Sequence, residues 1–273
     1  MADRDTRTGE IFEYSVCTNC GVIFQSLRPQ KENIGKYYLD SYEPFLGRRN
    51  MIVDMFVAWR TGREARMIRK YLPGARDALE VGASWGRYIL QLRDFFGFRI
   101  QGVELNKKMC ELGRSKGIQM HEGTLEDAHL PDESLDVIIM SHVIEHLYDP
   151  RGTMREVFRI LRPGGIVIIK TPNSDTLERR AFGANWHPYE APRHTVIFSG
   201  RNLGALLVET GFAVKRVSFD ATPNNIILSL RNRFEAKFFR LDNYLTLALL
   251  TPISFLLSVF KTSGRVNIIG QKP

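Results

Sequence analysis

Apolar positions recur along this chain in two rhythms, and their alternation predicts its architecture. From Arg48 to Leu72 they return at three- and four-residue steps (Met51, Met55, Trp59; Ile52, Phe56), the spacing of one helix face, and Pro73-Gly74 stops the run. Short apolar runs then alternate with amphipathic stretches. Strands are predicted at about Arg76–Val81, Phe98–Glu104, Gly117–His121, Asp136–Met140 and Ile166–Lys170. Helices are predicted between them at about Gly86–Phe95, Lys107–Lys116 and Thr153–Leu161, with Arg162-Pro163-Gly164-Gly165 as the stop of the last. Val137 to Met140 is apolar at every position, which suits a strand covered on both faces. Five strands alternating with helices in this way imply an α/β fold with a doubly wound, mostly parallel sheet and right-handed crossovers. Ser199 caps a further helix, Arg201–Thr210, Gly211 ends it, and Phe212–Phe219 reads as a sixth strand.

The two ends of the chain follow other patterns. Near the N-terminus two short β-prone runs flank Cys17-Thr18-Asn19-Cys20-Gly21, and the dense aromatics Tyr37, Tyr38 and Tyr42 suit a cap or lid. Ile226–Leu241 is basic and amphipathic, with Arg231, Arg233, Lys237 and Arg240 among Phe234, Phe238 and Phe239. Asn243–Phe260 then carries no charge over 18 residues. That approaches the roughly 20 residues of a membrane span. Pro252 divides it, however, and a span would part the last strand from its sheet. A monotopic hairpin, an interfacial helix, a dimer interface and a lid over an apolar acceptor are the readings left for 226–260. The division expected is a cap over 1–45, a core over 46–220, a helical insert over 221–262 and a last strand over 263–273.

Composition narrows the class. The chain has 273 residues, 44% of them hydrophobic and 25% charged, enough for one medium α/β domain with an appendage. Its net charge of +8 suits either a solvated basic surface or an anionic partner, yet no Arg- or Lys-rich block marks a nucleic-acid tail. Three cysteines behind a polar N-terminus point to a reducing, cytoplasmic compartment. A single Cys-x-x-Cys supplies half of the four ligands zinc needs. A metal-free hairpin is preferred over half a zinc ribbon or a site shared with a partner chain, and no metal is expected elsewhere.

The candidate chemistry gathers at the strand ends. Ala78 to Ile89 reads as the end of a strand, a glycine turn at Gly82 and Gly86, and a helix start whose free N–H groups face a ligand. The spacing, Glu80-x-Gly82-x-x-x-Gly86, is not that of dinucleotide folds, and a carboxylate before the turn would repel a pyrophosphate and pair with a cationic ligand. Glu104 closes the second strand a little over 20 residues beyond the turn, where an acid binds ribose hydroxyls. His142 and His146 stand four apart, read as one helix face with Glu145 beside them. The loop from Phe182 to Ser199 is rich in Trp186, His187, Tyr189, Arg193 and His194 and leaves from the same sheet edge.

This ordered set, with Leu161-Arg162-Pro163-Gly164-Gly165 before an apolar strand, resembles the class I S-adenosylmethionine-dependent methyltransferases. It is most similar to the small-molecule group that includes ubiquinone biosynthesis and sugar methylation, over about residues 70–220. The resemblance implies a seven-stranded sheet whose last strand, at Arg265–Gly270, is antiparallel and here comes late. It implies S-adenosylmethionine as cofactor, held by Glu80, Gly82, Ala83, Gly86, Glu104, Leu105, Leu125, Glu126, Ser141 and His142. Thr124 stands where an aspartate is frequent, which leaves the adenine to backbone groups of Leu125 and Glu126. It implies O-methylation of a sugar of a surface glycan or a lipid-linked saccharide at the cytoplasmic membrane face. A quinone or lipid phenol, or a non-catalytic binding role, is the alternative. His194 and His187, then His146, are the candidates for deprotonating the acceptor. A small-molecule or glycan acceptor, membrane-surface contact through 226–260 and a homodimer are the partners expected, and nucleic acid is not.

Overall fold

The structure, a computed structural model, describes residues 10–38, 51–220, 223–234 and 244–273. The aromatic Tyr42 and the basic and aromatic positions 237–240 lie outside the described residues. The chain opens on an antiparallel hairpin, β1 (Tyr14–Val16) and β2 (Ile23–Gln25), followed by a 3-10 turn (Lys31–Tyr37) and helix α1 (Met51–Tyr71). Strands and helices then alternate as β3 (Asp77–Val81), α2 (Arg87–Phe96), β4 (Arg99–Glu104), α3 (Lys107–Ser115), β5 (Met120–Glu122), β6 (Leu135–Ser141), α4 (Pro150–Ile160) and β7 (Leu161–Pro172). The remainder is α5 (Leu177–Phe182), β8 (Val196–Ile197), α6 (Gly200–Glu209), β9 (Ala213–Phe219), α7 (Asn224–Phe234), α8 (Tyr244–Val259) and β10 (Arg265–Gln271).

Seven strands form one sheet in the order β5-β4-β3-β6-β7-β10-β9. The β3, β4, β5, β6 and β7 pairings are parallel, and β10 runs antiparallel to both β7 and β9, opposing Ile268 to Ile169 on one side and to Val217 on the other. The late strand thus fills an interior place between β7 and β9, and its buried Val266, Ile268 and Ile269 explain why an apolar run is required there. Period-two alternation sends the buried residues to both faces. Ile138, Met140, Val167 and Ile169 pack with Met154 and Val157 of α4 and with Leu203 and Leu207 of α6. Val137, Ile139, Ile166 and Ile168 pack with Ile68 of α1 and with Ile89 and Leu92 of α2. Truncating one such isoleucine to alanine costs roughly 2–5 kcal/mol, so the two covered faces hold the sheet edge rigid.

Two expectations change in detail. α4 ends at Ile160, one residue before the end expected, and β7 begins at once at Leu161, so Arg162 to Gly165 follows the helix as an excursion inside a strand: Leu135 pairs with Leu161, yet Val137 pairs with Ile166. The excursion is used, because Gly164 N–H donates to Lys272 O and Lys272 N–H donates to Gly165 O, at 3.0 and 2.9 Å. The N-terminal hairpin does not stand apart either. β2 pairs with β8, so β1, β2 and β8 form a second sheet that fastens the first residues described to the loop after β7.

Candidate active site

At the carboxyl edge of the large sheet, β3 ends in Glu80 and Val81 and the chain turns through Gly82 (φ 71°), Ala83, Ser84 (φ 48°) and Gly86 (φ 83°) into α2. The left-handed φ values favour glycine. A Cβ on Gly82 would also lie 2.6 Å from Val143, and one on Gly86 would strike Ile118. The glycines therefore serve packing between the turn and its neighbours, beyond any approach to a ligand. Glu104, at the end of β4, takes Ser84 N–H (2.9 Å) on one oxygen and Asn106 N–H (2.8 Å) on the other, which fixes its carboxylate against the turn. Glu80 is buried, and one of its oxygens has no hydrogen-bond partner among the described residues. Burial pushes its carboxyl well above the usual range, against the attraction of Lys170. Leu125 is buried beside the loop after β5, Leu105 is exposed, and Glu126 accepts the hydroxyl of Thr153 at 2.8 Å. Thr124 is engaged by Asp127, which accepts both its N–H and its hydroxyl.

The segment after β6 is not a helix face. Ser141 ends the strand, His142 takes φ 58° while its N–H stays bonded to Lys170 O, and only a 3-10 turn, Ile144–His146, follows. This corrects the helical reading, and the two imidazoles diverge as a result. His142 Nδ1 lies 2.9 Å from Oε1 of Glu145, whose other oxygen accepts the Thr171 hydroxyl at 2.9 Å. The Nε2 of His142 is shielded and has no partner among the described residues. His146 turns the other way: its Nδ1 donates to Arg193 O at 3.1 Å and lies 3.1 Å from the Tyr38 hydroxyl.

The loop from Gly183 to Thr195 roofs these groups around Glu190. That carboxylate lies 2.9 Å from His194 Nε2, 3.5 Å from His187 Nε2 and 3.3 Å from Arg193. His194 Nδ1 donates to Pro188 O at 2.7 Å, so both its ring nitrogens face acceptors. The N-terminal hairpin closes over this: the Tyr14 hydroxyl lies 2.8 and 2.7 Å from the carbonyls of Tyr189 and His194. Trp186 is buried edge-on to Tyr189. Glu190 was not among the sequence candidates, although an acid three or four residues from His187, Arg193 and His194 was the available signal.

Charge and burial set the protonation of this network. Burial opposes the charge of Glu145, yet the hydrogen bond from His142 and the fields of His142, His194 and His146 outweigh it and hold the carboxyl at about 2. Burial and then His194 lower His146 to about 4. Burial and then Arg265 lower His142. Burial also opposes the charge on His194, but Glu190 overcomes it and raises the imidazole. Ligand atoms of Glu145, His146 and His194 lie within 4.8 Å of one another, the spacing of a metal set. Both oxygens of Glu145 and both ring nitrogens of His194 are already hydrogen-bonded, so the cluster is satisfied as a polar network.

Cys17 and Cys20 sit at the β1–β2 turn, where Gly21 N–H donates to Cys17 O at 2.8 Å. Backbone N–H groups of Cys20 and Asn19 lower the Cys17 thiol. Among the described residues no His, Cys, Asp or Glu completes a metal set with them. Cys110 is buried in α3 and points its thiol at Glu104 O, 3.3 Å away.

A methyltransferase-domain family matches residues 54–217 of this chain. The chain belongs to the class I S-adenosylmethionine-dependent methyltransferases. It is 33% identical over 142 residues to a probable S-adenosylmethionine-dependent methyltransferase of Mycolicibacterium smegmatis, a match covering 51% of this chain and 53% of the relative. It is 31% identical over 110 residues to a ubiquinone/menaquinone biosynthesis C-methyltransferase of Geotalea daltonii, covering 37% of this chain and 46% of that one. The chain spans about half the length of the curated relatives it matches. In fold it is similar to an S-adenosylmethionine-dependent methyltransferase of Thermotoga maritima described as a possible histamine N-methyltransferase, with TM-score 0.54, 24% identity, and 82% of this chain and 96% of that one covered. The methyltransferase sheet edge fits the family's cofactor. Glu80 carries an orphaned buried acidic oxygen suited to a cationic group, and Glu104 is a fixed acceptor one strand away.

Proposed function

We propose that this methyltransferase moves a methyl group from S-adenosylmethionine to a hydroxyl oxygen of a sugar, in a surface glycan or lipid-linked saccharide at the cytoplasmic face of a membrane. The observation that carries the reading is the His142–Glu145 pair at the end of β6, beneath an aromatic and histidine-rich roof. When bound, the cofactor supplies an electrophilic methyl on a sulfonium. Glu80 would face its positive end, Glu104 its ribose hydroxyls, and backbone groups of Leu125 and Glu126 its adenine, with the Gly82–Gly86 turn and Ser141 shaping the edge. The protein's remaining work is to align the acceptor, exclude water and take one proton.

A sugar hydroxyl has a high pKa and needs a base as it attacks. Glu145 fixes the proton of His142 on Nδ1, which leaves a lone pair on Nε2, and the lowered pKa keeps that ring neutral near pH 7. His142 therefore suits the base better than the three histidines expected from sequence. His194 faces acceptors from both nitrogens, which suits a fixed cation. His187 pairs with Glu190 and with it orders the roof. His146, neutral with its proton on Nδ1, braces the contact between the turn and the roof. Trp186, Tyr189 and Tyr14 keep water out.

A second reading, a quinone or other lipid phenol as acceptor, is favoured by the apolar helix α8, reached from α7, which packs on the roof. Purified protein incubated with methyl-labelled S-adenosylmethionine and a lysate of its source, then fractionated, separates the two. Label in glycan or acid-labile glycolipid supports the sugar reading. Label in neutral lipid moves the acceptor to quinone, and label in RNA or protein overturns both.

A further inference from the structure

The hairpin of α7 and α8 carries no part of the chemistry above, yet its surface is the most unusual on the molecule. α8 has 16 residues and no charged side chain. At 100° per residue, its exposed positions cover an arc of about 200°: Leu245, Ala248, Leu249, Thr251, Pro252, Ile253, Phe255, Leu256 and Val259, continued by Phe260. Leu249, Phe255 and Phe260 are 62%, 62% and 67% exposed. The hydroxyls on this surface are satisfied within the helix, Thr251 by Leu247 O at 2.6 Å and Ser258 by Phe255 O at 2.7 Å, so neither requires water. Among the described residues no helix is long and apolar enough to cross a membrane. Sixteen residues reach about 24 Å, against an apolar thickness of about 30 Å.

Positive charge flanks this apolar arc at its two ends: Arg231 and Arg233 are exposed at the end of α7, and Lys261 is exposed just beyond α8. A two-fold contact with a second copy would bring these like charges together and would cover one stripe rather than so wide an arc. An anionic leaflet would attract them and surround the arc.

One end of the hairpin is fastened to the roof of the site, and the other to the start of α5, the helix that leads into the roof. Ser229 Oγ accepts His187 N–H at 2.9 Å, and Asn232 donates to Asn185 O at 3.4 Å. After α8, Thr176 donates to Thr262 O at 2.6 Å and Gly264 N–H donates to Glu178 at 3.2 Å. We propose that α7 and α8 form a monotopic dock for an anionic phospholipid leaflet, which sets the acceptor roof at the lipid surface so that a lipid-borne acceptor is taken from the bilayer. The second half of this statement rests on the lipid-linked reading of the acceptor, whereas the dock stands on the hairpin alone.

The test uses the full chain and sedimentation with vesicles, either rich in phosphatidylglycerol or of pure phosphatidylcholine. The protein is expected to sediment with the anionic vesicles at low salt and to be released by added salt. The variant L249E/I253E/L256E, which changes only exposed positions, is expected to bind at least about ten-fold more weakly. Its binding of S-adenosylmethionine, read by calorimetry, should match the parent. No sedimentation with either vesicle, or vesicle binding unchanged in the variant, would overturn the dock. A parent dimer in analytical ultracentrifugation that becomes monomeric in the variant, without vesicle binding, would assign the surface to a second copy instead. Loss of cofactor binding by the parent would count against the methyltransferase reading and leave the vesicle result to stand separately.

Discussion

His142 and Glu145 are joined through Nδ1 and Oε1 at 2.9 Å, and the carboxylate in that bond has no exposure to solvent. A buried carboxylate that fixes an imidazole tautomer is the arrangement that makes the opposite ring nitrogen basic. Glu145→Gln keeps the volume but removes the charge. Its kcat is expected to fall by about 10²-fold or more, with cofactor affinity within two-fold, and His142→Ala should fall further, within roughly 10²–10⁴-fold. The field of Glu145 raises the His142 pKa, so the acid limb of kcat against pH should move to lower pH in Glu145→Gln. An unchanged limb would remove His142 from the role of base.

Acid should unfold this protein through the same cluster. Glu145 falls from an ordinary 4.5 to about 2, and His146 from 6.5 to about 4. Both pKa values are depressed, so the stability they contribute is complete above the unfolded values and is lost as pH falls through the folded ones. His194 has the opposite sign: its pKa is raised, so its contribution is present below 6.5 and lost as pH rises through the folded value. Glu80 and Glu178, both raised, act in the same sense as His194, so the cluster is read from a variant: in urea melts at pH 7, 5.5 and 4, His146→Phe should lose less of its midpoint between pH 6.5 and 4 than the parent does.

Glu80→Gln should split stability from binding. The buried acid is held against its charge, and the amide carries none to bury. The melting temperature without ligand is expected to rise at pH 8. Binding of S-adenosylmethionine, which this acid is proposed to pair with, is expected to weaken at least about ten-fold by calorimetry. A variant that binds as tightly as the parent would remove Glu80 from the cofactor set.

Tyr14→Phe removes the hydroxyl that reaches Tyr189 O and His194 O. The two carbonyls lose a part-buried partner, and stability should drop by about 1–3 kcal/mol. Because the loss falls on the roof, KM for the acceptor is expected to rise while cofactor affinity stays level.

The parallel half of the fold was legible because a strand covered on both faces has to be apolar throughout, as Val137 to Met140 is. The carboxyl-edge acids were legible for a related reason, since Glu80 and Glu104 end apolar runs and then face the edge. His142 was harder to read. Its spacing to His146 matches a helix, but the left-handed backbone at His142 breaks any helical phase, and nothing in the residue type announces φ 58°. Glu190 lies in a Pro-rich loop without periodicity, so only the folded loop shows it facing two histidines and an arginine. The pairing of β2 with β8 was invisible for the same reason: two residues of strand carry no pattern.

That pairing should separate the two halves of the site in time during folding. The cofactor edge forms from neighbouring βαβ units, whereas the roof is braced by the Tyr14 hydroxyl on Tyr189 O across 175 positions of chain. Contacts so distant in sequence close slowly, because loop entropy opposes them until the rest of the chain is in place. During refolding the protein should therefore regain its grip on S-adenosylmethionine first and its turnover later, passing through a stage that binds the donor but is not yet roofed against water.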